Sequence, residues 1–560
     1  MRSPPRLLVV VALLASACTS SGSTSATPPA RTSGPPVPTQ VSGRALAKQV
    51  CANLSHEVLL RTWHGYFPGR SGDIQIVPKD PNFVNGGLTH STPFAYTQDV
   101  PLFLYGPGYV RPGVYDRPIT LADIAPTEGS MLKYDFPAPD GTAQGQALLP
   151  ADGRALPRLL LTLIWDSGGM DVLNRWPNDW PYLRSLRPHG AWFTHVTVGA
   201  SPSNTPTGHS IIGTGAFPMR TGFVDEYVRV NGRIQKPNAN GPAFLLEPSL
   251  ADLYDRGMGN RPIVGAIASL SAHIMMIGHG SMWGGGDKDL AVAREAQFGP
   301  TAGAESDVWN LTPSMASYYT FPSYVNTLPP VTAYTRALDQ ADGRLDGAWR
   351  GHPFTELHNG FDTPARTPYQ TRLVETVIER EGFGKDDIPD LLSVNYKAID
   401  TIGHLFSADG VEMSDAVAYQ DEALRQLVSF LDRSVGKGRW VMALTADHGT
   451  QRDPAVSGAF MIDVNKIESL VRKAFDNDDD GVPLVEKVRA TEIWLNTEEL
   501  ANNGFTLDDV SQFIVRMTQQ QTFKNRNTPV PGHEDDTVFS AAFPSSMLSR
   551  LPCLPEARAS

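Results

Sequence analysis

Four continuous apolar runs punctuate the chain: RLLLTLIWD at 158–166, PIVGAIA at 262–268, DLLSVNY at 390–396 and RWVMALTAD at 439–447. None alternates apolar with polar, so each predicts a strand buried on both faces, as in a parallel sheet covered by helices on either side. Around 369–381, 413–435 and 506–517, apolar positions recur at helical spacing and predict helix faces packed against that sheet. Strands alternating with helices predict an α/β fold: a three-layer sandwich with a mostly parallel central sheet.

The first 43 residues break this pattern. MRSPPRLLVVVALLASAC carries two arginines, an apolar run at 7–14 and small residues before Cys18. It reads as a secretory signal, too short to span a bilayer. ASAC at 15–18 resembles a bacterial lipoprotein signal, in which Cys18 would carry lipid and hold the protein on the outer face of the cell membrane; plain secretion with cleavage near Ala17 is the alternative. Residues 19–43 offer almost nothing to bury and predict a flexible tether. No second linker follows, so 44–560 is expected to form one large domain with insertions. The net charge of −12, with no basic run, argues against a nucleic-acid-binding surface. Secretion would place Cys51 and Cys553 in an oxidising compartment.

Polar residues gather where the runs end. Asp166 follows the first, Asp400 and His404 follow the third in AIDTIGH, and Asp447 and His448 follow the fourth in TADHG. The carboxyl ends of parallel strands are where α/β proteins place ligand-binding residues. Carboxylates and imidazoles suit Zn²⁺, and a catalytic metal pair needs about six protein ligands with open positions for substrate. A lone Asp–His pair is more often structural, but several at consecutive strand ends point to metal. In GASPSNTPTGHSIIGTG at 199–215, Thr205 precedes Pro206, a residue suited to the first turn of a helix. Thr205 is then either an N-cap or, beside a metal, a nucleophile for phosphorus whose helix end favours phosphate charge.

Asp166, the TPTGH beginning at Thr205, the D-x-x-G-H at 400–404 and the DHG at 447–449 together resemble the alkaline phosphatase superfamily. Within it they are most similar to the type I phosphodiesterase/nucleotide pyrophosphatase group and its threonine-nucleophile phosphatase relatives. The resemblance implies two Zn²⁺: one held by Asp166, Thr205, Asp447 and His448, the other by Asp400, His404 and a further histidine, with Thr205 as the catalytic nucleophile. In the family that last histidine lies near the C-terminus, ahead of a strand ending in a Tyr-Gly turn. Here GLTHSTPFAYTQDVPLFLYGPG at 87–108 supplies His90 in that setting, whereas the C-terminal region offers only His533 in VPGHEDDTV. The resemblance therefore implies circular permutation: 44–132 is the relocated C-terminal segment, 133–157 the new link and 158–560 the remainder. Cys51 and Cys553 would then be neighbours able to form a disulfide, with two buried thiols as the alternative.

Departures from the family qualify the substrate. Glu226 stands where an asparagine usually donates to phosphate, leaving Arg229 or Asn231 as candidate donors. Ser269 and Ser271 stand where monoester-selective relatives carry cations, which favours a diester or pyrophosphate. His279 is expected either to line the pocket or to be structural, and 281–365 to form a cap. Asp476, Asp478 and Asp480 open like a calcium loop, but Glu486 falls at the eleventh position rather than the twelfth, so a solvated acidic turn is the alternative to Ca²⁺. The expectation is a zinc-dependent phosphodiesterase or nucleotide pyrophosphatase acting on small phosphorylated substrates. A phosphomonoesterase and a catalytically inactive surface ligand-binding lipoprotein are the alternatives. No Cys/Ser-x-Pro-x-Arg segment for a sulfatase is present.

Overall fold

The computed structural model describes residues 43–85, 87–149, 153–294, 308–341, 343–478, 480–523 and 528–559; Cys18 and the expected tether as far as 42 lie outside them. The strands used below are, in chain order, β1 (Ile74–Pro78), β2 (Leu102–Tyr105), β3 (Gly113–Tyr115), β4 (Leu159–Trp165), β5 (Ala191–Phe193), β6 (Val264–Ile267), β7 (Asp289–Val292), β8 (Tyr319–Thr320), β9 (Asp390–Tyr396), β10 (Trp440–Thr445), β11 (Val485–Val488), β12 (Glu492–Leu495) and β13 (Phe539–Pro544). The helices are α1 (Thr205–Thr214), α2 (Leu250–Gly257), α3 (Arg366–Glu381), α4 (Ala398–Phe406) and α5 (Val411–Leu431).

Among the described residues, nine strands form the central sheet in the order β8-β7-β6-β9-β4-β10-β2-β5-β3. From β8 to β10 every pairing is parallel, whereas β2, from the front of the chain, runs antiparallel to both β10 and β5. Leu159 pairs with both Asp390 and Trp440, so β4, β9 and β10 start level and their carboxyl ends reach the same edge.

The unbroken apolar runs are explained by a core on each face. Leu159, Leu161, Leu163 and Trp165 pack with Leu392, Val394, Met442 and Leu444 beneath Leu373 and Val377 of α3 and Leu424 and Leu427 of α5. Their alternates Leu160, Ile164, Leu391, Val441 and Ala443 pack beneath Ile211 and Ile212 of α1 and Leu250 and Tyr254 of α2. Each leucine, isoleucine, valine or methionine among them contributes about 1.5–3 kcal/mol by leaving water. The expected helices at 369–381 and 413–435 are α3 and α5, the latter continuing through a wider turn at Asp432–Gly436.

The front segment is integral to the domain. β1 lies between β12 and β13 in an antiparallel sheet of order β11-β12-β1-β13. The Cys51–Cys553 disulfide, with Cα atoms 5.7 Å apart, joins the Gly43–Asn53 helix to the C-terminal region. The region 281–365, expected as a cap, is in part sheet: β7 and β8 form its edge, because their Leu290, Ala291, Val292 and Tyr319 are apolar and buried. No described helix is long and apolar enough to cross a membrane.

One polar pair interrupts the apolar face over β4. Thr162 Oγ1 donates to Glu128 Oε1 at 2.6 Å, and burial pushes Glu128 up to about 8. Between about pH 4.5 and 8 the unfolded chain ionises this carboxyl while the folded chain keeps its proton, so stability falls as pH rises through that window. Glu128→Gln is expected to be about 2–4 kcal/mol more stable than wild type at pH 8.5 and little changed at pH 4, measured by denaturant unfolding.

Candidate active site

The shared edge of β4, β9 and β10 brings three buried carboxylates together. Asp166 follows β4 directly, Asp447 lies two residues beyond β10, and Asp400 is in the first turn of α4, which follows β9. α1 approaches this edge with its N-terminus. Asn204 is the N-cap, its Oδ1 accepting from Thr207 N at 3.3 Å, so the Thr205 hydroxyl is not used for capping. Thr205 Oγ1 instead lies 3.3 Å from His448 Nε2 and 3.2 Å from Lys397 Nζ. The approach needs glycine at 208, where a Cβ would stand 2.4 Å from Asp447 O.

Two sets of donors face inward. In the first, His448 Nε2 is 3.2 Å from Asp447 Oδ2 and 3.8 Å from Asp166 Oδ1. In the second, His90 Nε2 and His404 Nε2 are 3.6 Å and 3.4 Å from Asp400 Oδ1. Donors about 2.0–2.2 Å from a tetrahedral divalent ion stand about 3.3–3.6 Å from one another; Asp166, Asp447 and His448 bring one donor atom each within 4.8 Å of one another, as do His90, Asp400 and His448, while His404 joins the second set through Asp400. The imidazole tautomers agree. A carbonyl can only accept, so Nδ1–H donates from His448 to Gly449 O (2.8 Å), from His90 to Ser203 O (3.1 Å) and from His404 to Leu88 O (2.8 Å). Each Nε2 lone pair is thereby left facing the carboxylates, the arrangement in which a histidine ligates metal. Asp447 Oδ2 is buried with no hydrogen-bond donor, as a ligand oxygen would be.

His90 reaches this site because its loop is held from both sides. Ser203 Oγ donates to His90 O at 2.7 Å and Thr92 O at 2.9 Å, and Gln451 N donates to Thr89 O at 2.8 Å. His533 does not reach it: exposed in a distant turn, its Nδ1 lies 2.7 Å from Asp536 Oδ2.

Lys397 was not singled out by the sequence reading. Its Nζ is 2.9 Å from Asp166 Oδ1 and from Asp400 Oδ2. Burial opposes its charge, but the carboxylates of Asp166, Asp400 and Asp447 outweigh that and hold it an ammonium. Three buried carboxylates against one such cation leave two negative charges uncompensated, which a dry interior does not tolerate without further cations.

Around these residues stand His209, His273 and Asn395, which also escaped the sequence reading. Asn395 Nδ2 donates to Asp166 Oδ2 at 2.8 Å and His209 Nε2 at 3.0 Å, while His209 Nδ1 donates to Thr205 O at 2.9 Å. His273 Nε2 donates to Asp166 Oδ2 at 3.1 Å, and burial holds it down to about 4, hence neutral. They fix the orientation of Asp166 and of the first turn of α1.

Several expected substrate contacts are redirected. Glu226 Oε2 accepts from Arg489 Nη2 at 2.6 Å, so its charge is paired away from phosphate. Arg229 is bound to Asp73 at 2.8 and 3.1 Å and to Glu486, and Asn231 is an exposed residue with φ +52° in the turn following Val228–Val230; neither serves as the phosphate donor. His279 has both ring nitrogens engaged, Nδ1 with Asp252 Oδ2 at 2.8 Å and Nε2 with Leu245 O at 2.9 Å, so it is structural. In the acidic turn, Asp476 and Asp478 face Glu499, whereas Glu486 is held by Arg229 and Asp480 accepts from Val482 N at 2.7 Å. Two of the three aspartates, Asp476 and Asp478, thus share a group with Glu499, and the incomplete calcium-loop pattern is not filled by Asp480 or Glu486.

Ser269 and Ser271 are buried. Arg294 N donates to Ser269 O at 3.2 Å, and the guanidinium carbons of Arg294 and Arg366 lie 3.5 and 4.3 Å from the centre of the Phe361 ring. Arg366 is buried, donates to Thr401 Oγ1 at 2.9 Å beside Asp400, and has no carboxylate at ion-pair distance among the described residues. Burial, with the charge of Arg294, holds it down to about 10.

Residues 160–528, about two thirds of the chain, match the family model described as type I phosphodiesterase / nucleotide pyrophosphatase. The chain is 22% identical over 447 residues to alkaline phosphatase PafA of Elizabethkingia meningoseptica, covering 70% of this chain and 78% of that protein. It is 22% identical over 334 residues to alkaline phosphatase PhoV of Synechococcus elongatus, covering 54% and 60% respectively. The crystal structure of wild-type alkaline phosphatase PafA matches with a TM-score of 0.48 at 16% identity, over 69% of this chain and 84% of that one. With the family model spanning the Thr205 helix and the carboxylates at the ends of β4, β9 and β10, this chain belongs to the type I phosphodiesterase/nucleotide pyrophosphatase family and is a phosphoric ester hydrolase.

Proposed function

We propose that this protein hydrolyses phosphodiester or nucleotide pyrophosphate bonds of small phosphorylated substrates through a phosphothreonine at Thr205, with two zinc ions and outside the cell. The observation that carries this reading is the Thr205 hydroxyl, uncapped at the head of α1 and set beside His448 and Lys397. Asp166, Thr205, Asp447 and His448 would hold one zinc, and Asp400, His404 and His90 the other. Bound there, the ions would supply charge neutralisation for the entering and leaving oxygens.

The chain's own residues do the rest. Thr205 Oγ1, having lost its proton, attacks phosphorus; the new P–O bond forms as the bond to the leaving alcohol or phosphate breaks. Lys397 Nζ, 3.2 Å away, stabilises the alkoxide, and the positive end of α1 favours the phosphoryl oxygens. Water then attacks the phosphothreonine, breaking its P–O bond and returning Thr205. Positioning and charge account for most catalysis of this kind, so the fixed orientations of Asp166 and Thr205 matter as much as their identity.

The buried serines at 269 and 271 support the diester. Arg366 favours a second reading, a phosphomonoesterase, because a buried guanidinium without a carboxylate suits an additional substrate charge. The two readings separate on zinc-loaded protein given bis(p-nitrophenyl) phosphate and p-nitrophenyl phosphate. Faster diester turnover supports the first, and faster monoester turnover the second. No turnover of either would contradict both and promote the inactive ligand-binding alternative. Arg366→Met is expected to lower kcat/KM for the monoester at least tenfold, roughly, while changing the diester little.

The position of His90, the family match beginning only at 160 and the Cys51–Cys553 bond support circular permutation, with 44–132 as the relocated segment. The disulfide also supports an oxidising location, and with the signal pattern a lipid anchor at Cys18.

A further inference from the structure

A second acidic centre lies at the opposite end of the sheet from Thr205. Leu290 of β7 pairs with Gly265, Gly265 with Leu392, and Leu392 with Leu161, so Asp289 is level with Leu160, six residues before Asp166. That is about 20 Å along the strands. Asp289 there faces Asp255 of α2 and Asp287, one carboxylate oxygen from each lying within 4.8 Å of the others. Together with Asp252, Gly280, Trp283 and Gly286 they line a small, partly open hollow with room for a water-sized particle, Asp255 and Asp289 on its buried side and Asp287 on its exposed side.

Two features set this cluster apart from a solvated acidic turn. Asp255 is only 5% exposed, and its Oδ1 is buried with no hydrogen-bond partner. Asp289 is also buried, and neither residue nor Asp287 has a lysine, arginine or histidine within ion-pair distance among the described residues; Arg256 lines the space without pairing to them. The neighbouring Asp252 is already spent, accepting from Ser249 N, His279 N and His279 Nδ1. Burying such carboxylates unpaired costs several kcal/mol unless a cation joins them. Burial and mutual repulsion accordingly push Asp255 up to about 7.

We propose that Asp255, Asp287 and Asp289 bind a hard divalent cation, Ca²⁺, which fastens α2 and the 278–289 loop to the start of β7. The donors in the cluster are all oxygen, with no imidazole or thiolate among them, which suits Ca²⁺ rather than zinc. Oxygens up to 4.8 Å apart fit opposite corners around an ion with ligands at about 2.3–2.6 Å. The site does not depend on the phosphoester reading, and its loss leaves the Thr205 centre in place.

Trp283 lines the cavity and stacks on His279, so it can report a bound lanthanide. The test is Tb³⁺ titration of the zinc-loaded full chain with tryptophan excitation, followed by Ca²⁺ competition and by calorimetric Ca²⁺ titration. The expected result is saturable sensitised emission that Ca²⁺ displaces. Asp255→Asn should weaken Ca²⁺ binding at least tenfold, roughly, and Asp478→Asn should leave it unchanged. Trp283→Phe should keep Ca²⁺ binding but lose most of the emission, which decides the matter even if Asp255→Asn fails to fold. Absence of saturable uptake by wild type, or emission unaltered by Trp283→Phe, would overturn the proposal. Loss of binding in Asp478→Asn would also overturn it, by moving the ion to the Asp476–Asp478–Glu499 turn.

Discussion

Thr205→Ala is expected to lower turnover of whichever phosphoester is the better substrate by at least about three orders of magnitude, without lowering the melting temperature appreciably. Thr205 caps nothing: Asn204 caps α1, and the core beneath the helix is built from Ile211 and Ile212. The hydroxyl can therefore be removed without disturbing the carboxylates that surround it. Thr205→Ser keeps the nucleophilic oxygen and is expected to stay within about tenfold of wild type. Retention of substantial activity by the alanine variant, with its fold intact, would remove Thr205 from the reaction.

His90→Ala is expected to lower bound zinc from two ions per chain towards one and to reduce turnover by at least about a hundredfold, read by metal analysis of protein freed of loose metal. His533→Ala should change neither. The contrast is informative because His90 belongs to the front segment and His533 to the region where the family carries its last ligand. The geometry favours His90, whose Nε2 lies 3.6 Å from Asp400 Oδ1 while Nδ1 is fixed by Ser203 O. Full zinc content in the His90 variant, or its loss in the His533 variant, would contradict both the ligand set and the permuted order.

The central sheet was legible because β4, β9 and β10 are buried on both faces, and a run such as DLLSVNY needs no partner to be recognised. The antiparallel sheet was not. β1 is a five-residue strand whose partners lie more than 400 residues away, and its register is set by β12 and β13 rather than by its own pattern. The same limit applies to the site. Asp166, Thr205, Asp400, Asp447 and their histidines stand out by position at strand and helix ends. Lys397, a single lysine after a strand, reads as a solvated residue until Asp166, from a strand far earlier in the chain, is placed beside it. His279 stayed open between pocket and structure for the complementary reason: its partner Asp252 belongs to a capping box on α2, and nothing near His279 in the chain announces the pairing that makes it structural. Glu226 raised doubt about activity only because Arg489, which neutralises it, is remote in sequence.

The most direct test of the account is the stereochemical course of hydrolysis at phosphorus, followed with a substrate made chiral by sulfur and oxygen isotopes. Attack by Thr205 followed by attack of water inverts the phosphorus centre twice, so the account predicts net retention. Net inversion would mean a single displacement by water and would contradict the phosphothreonine at its core.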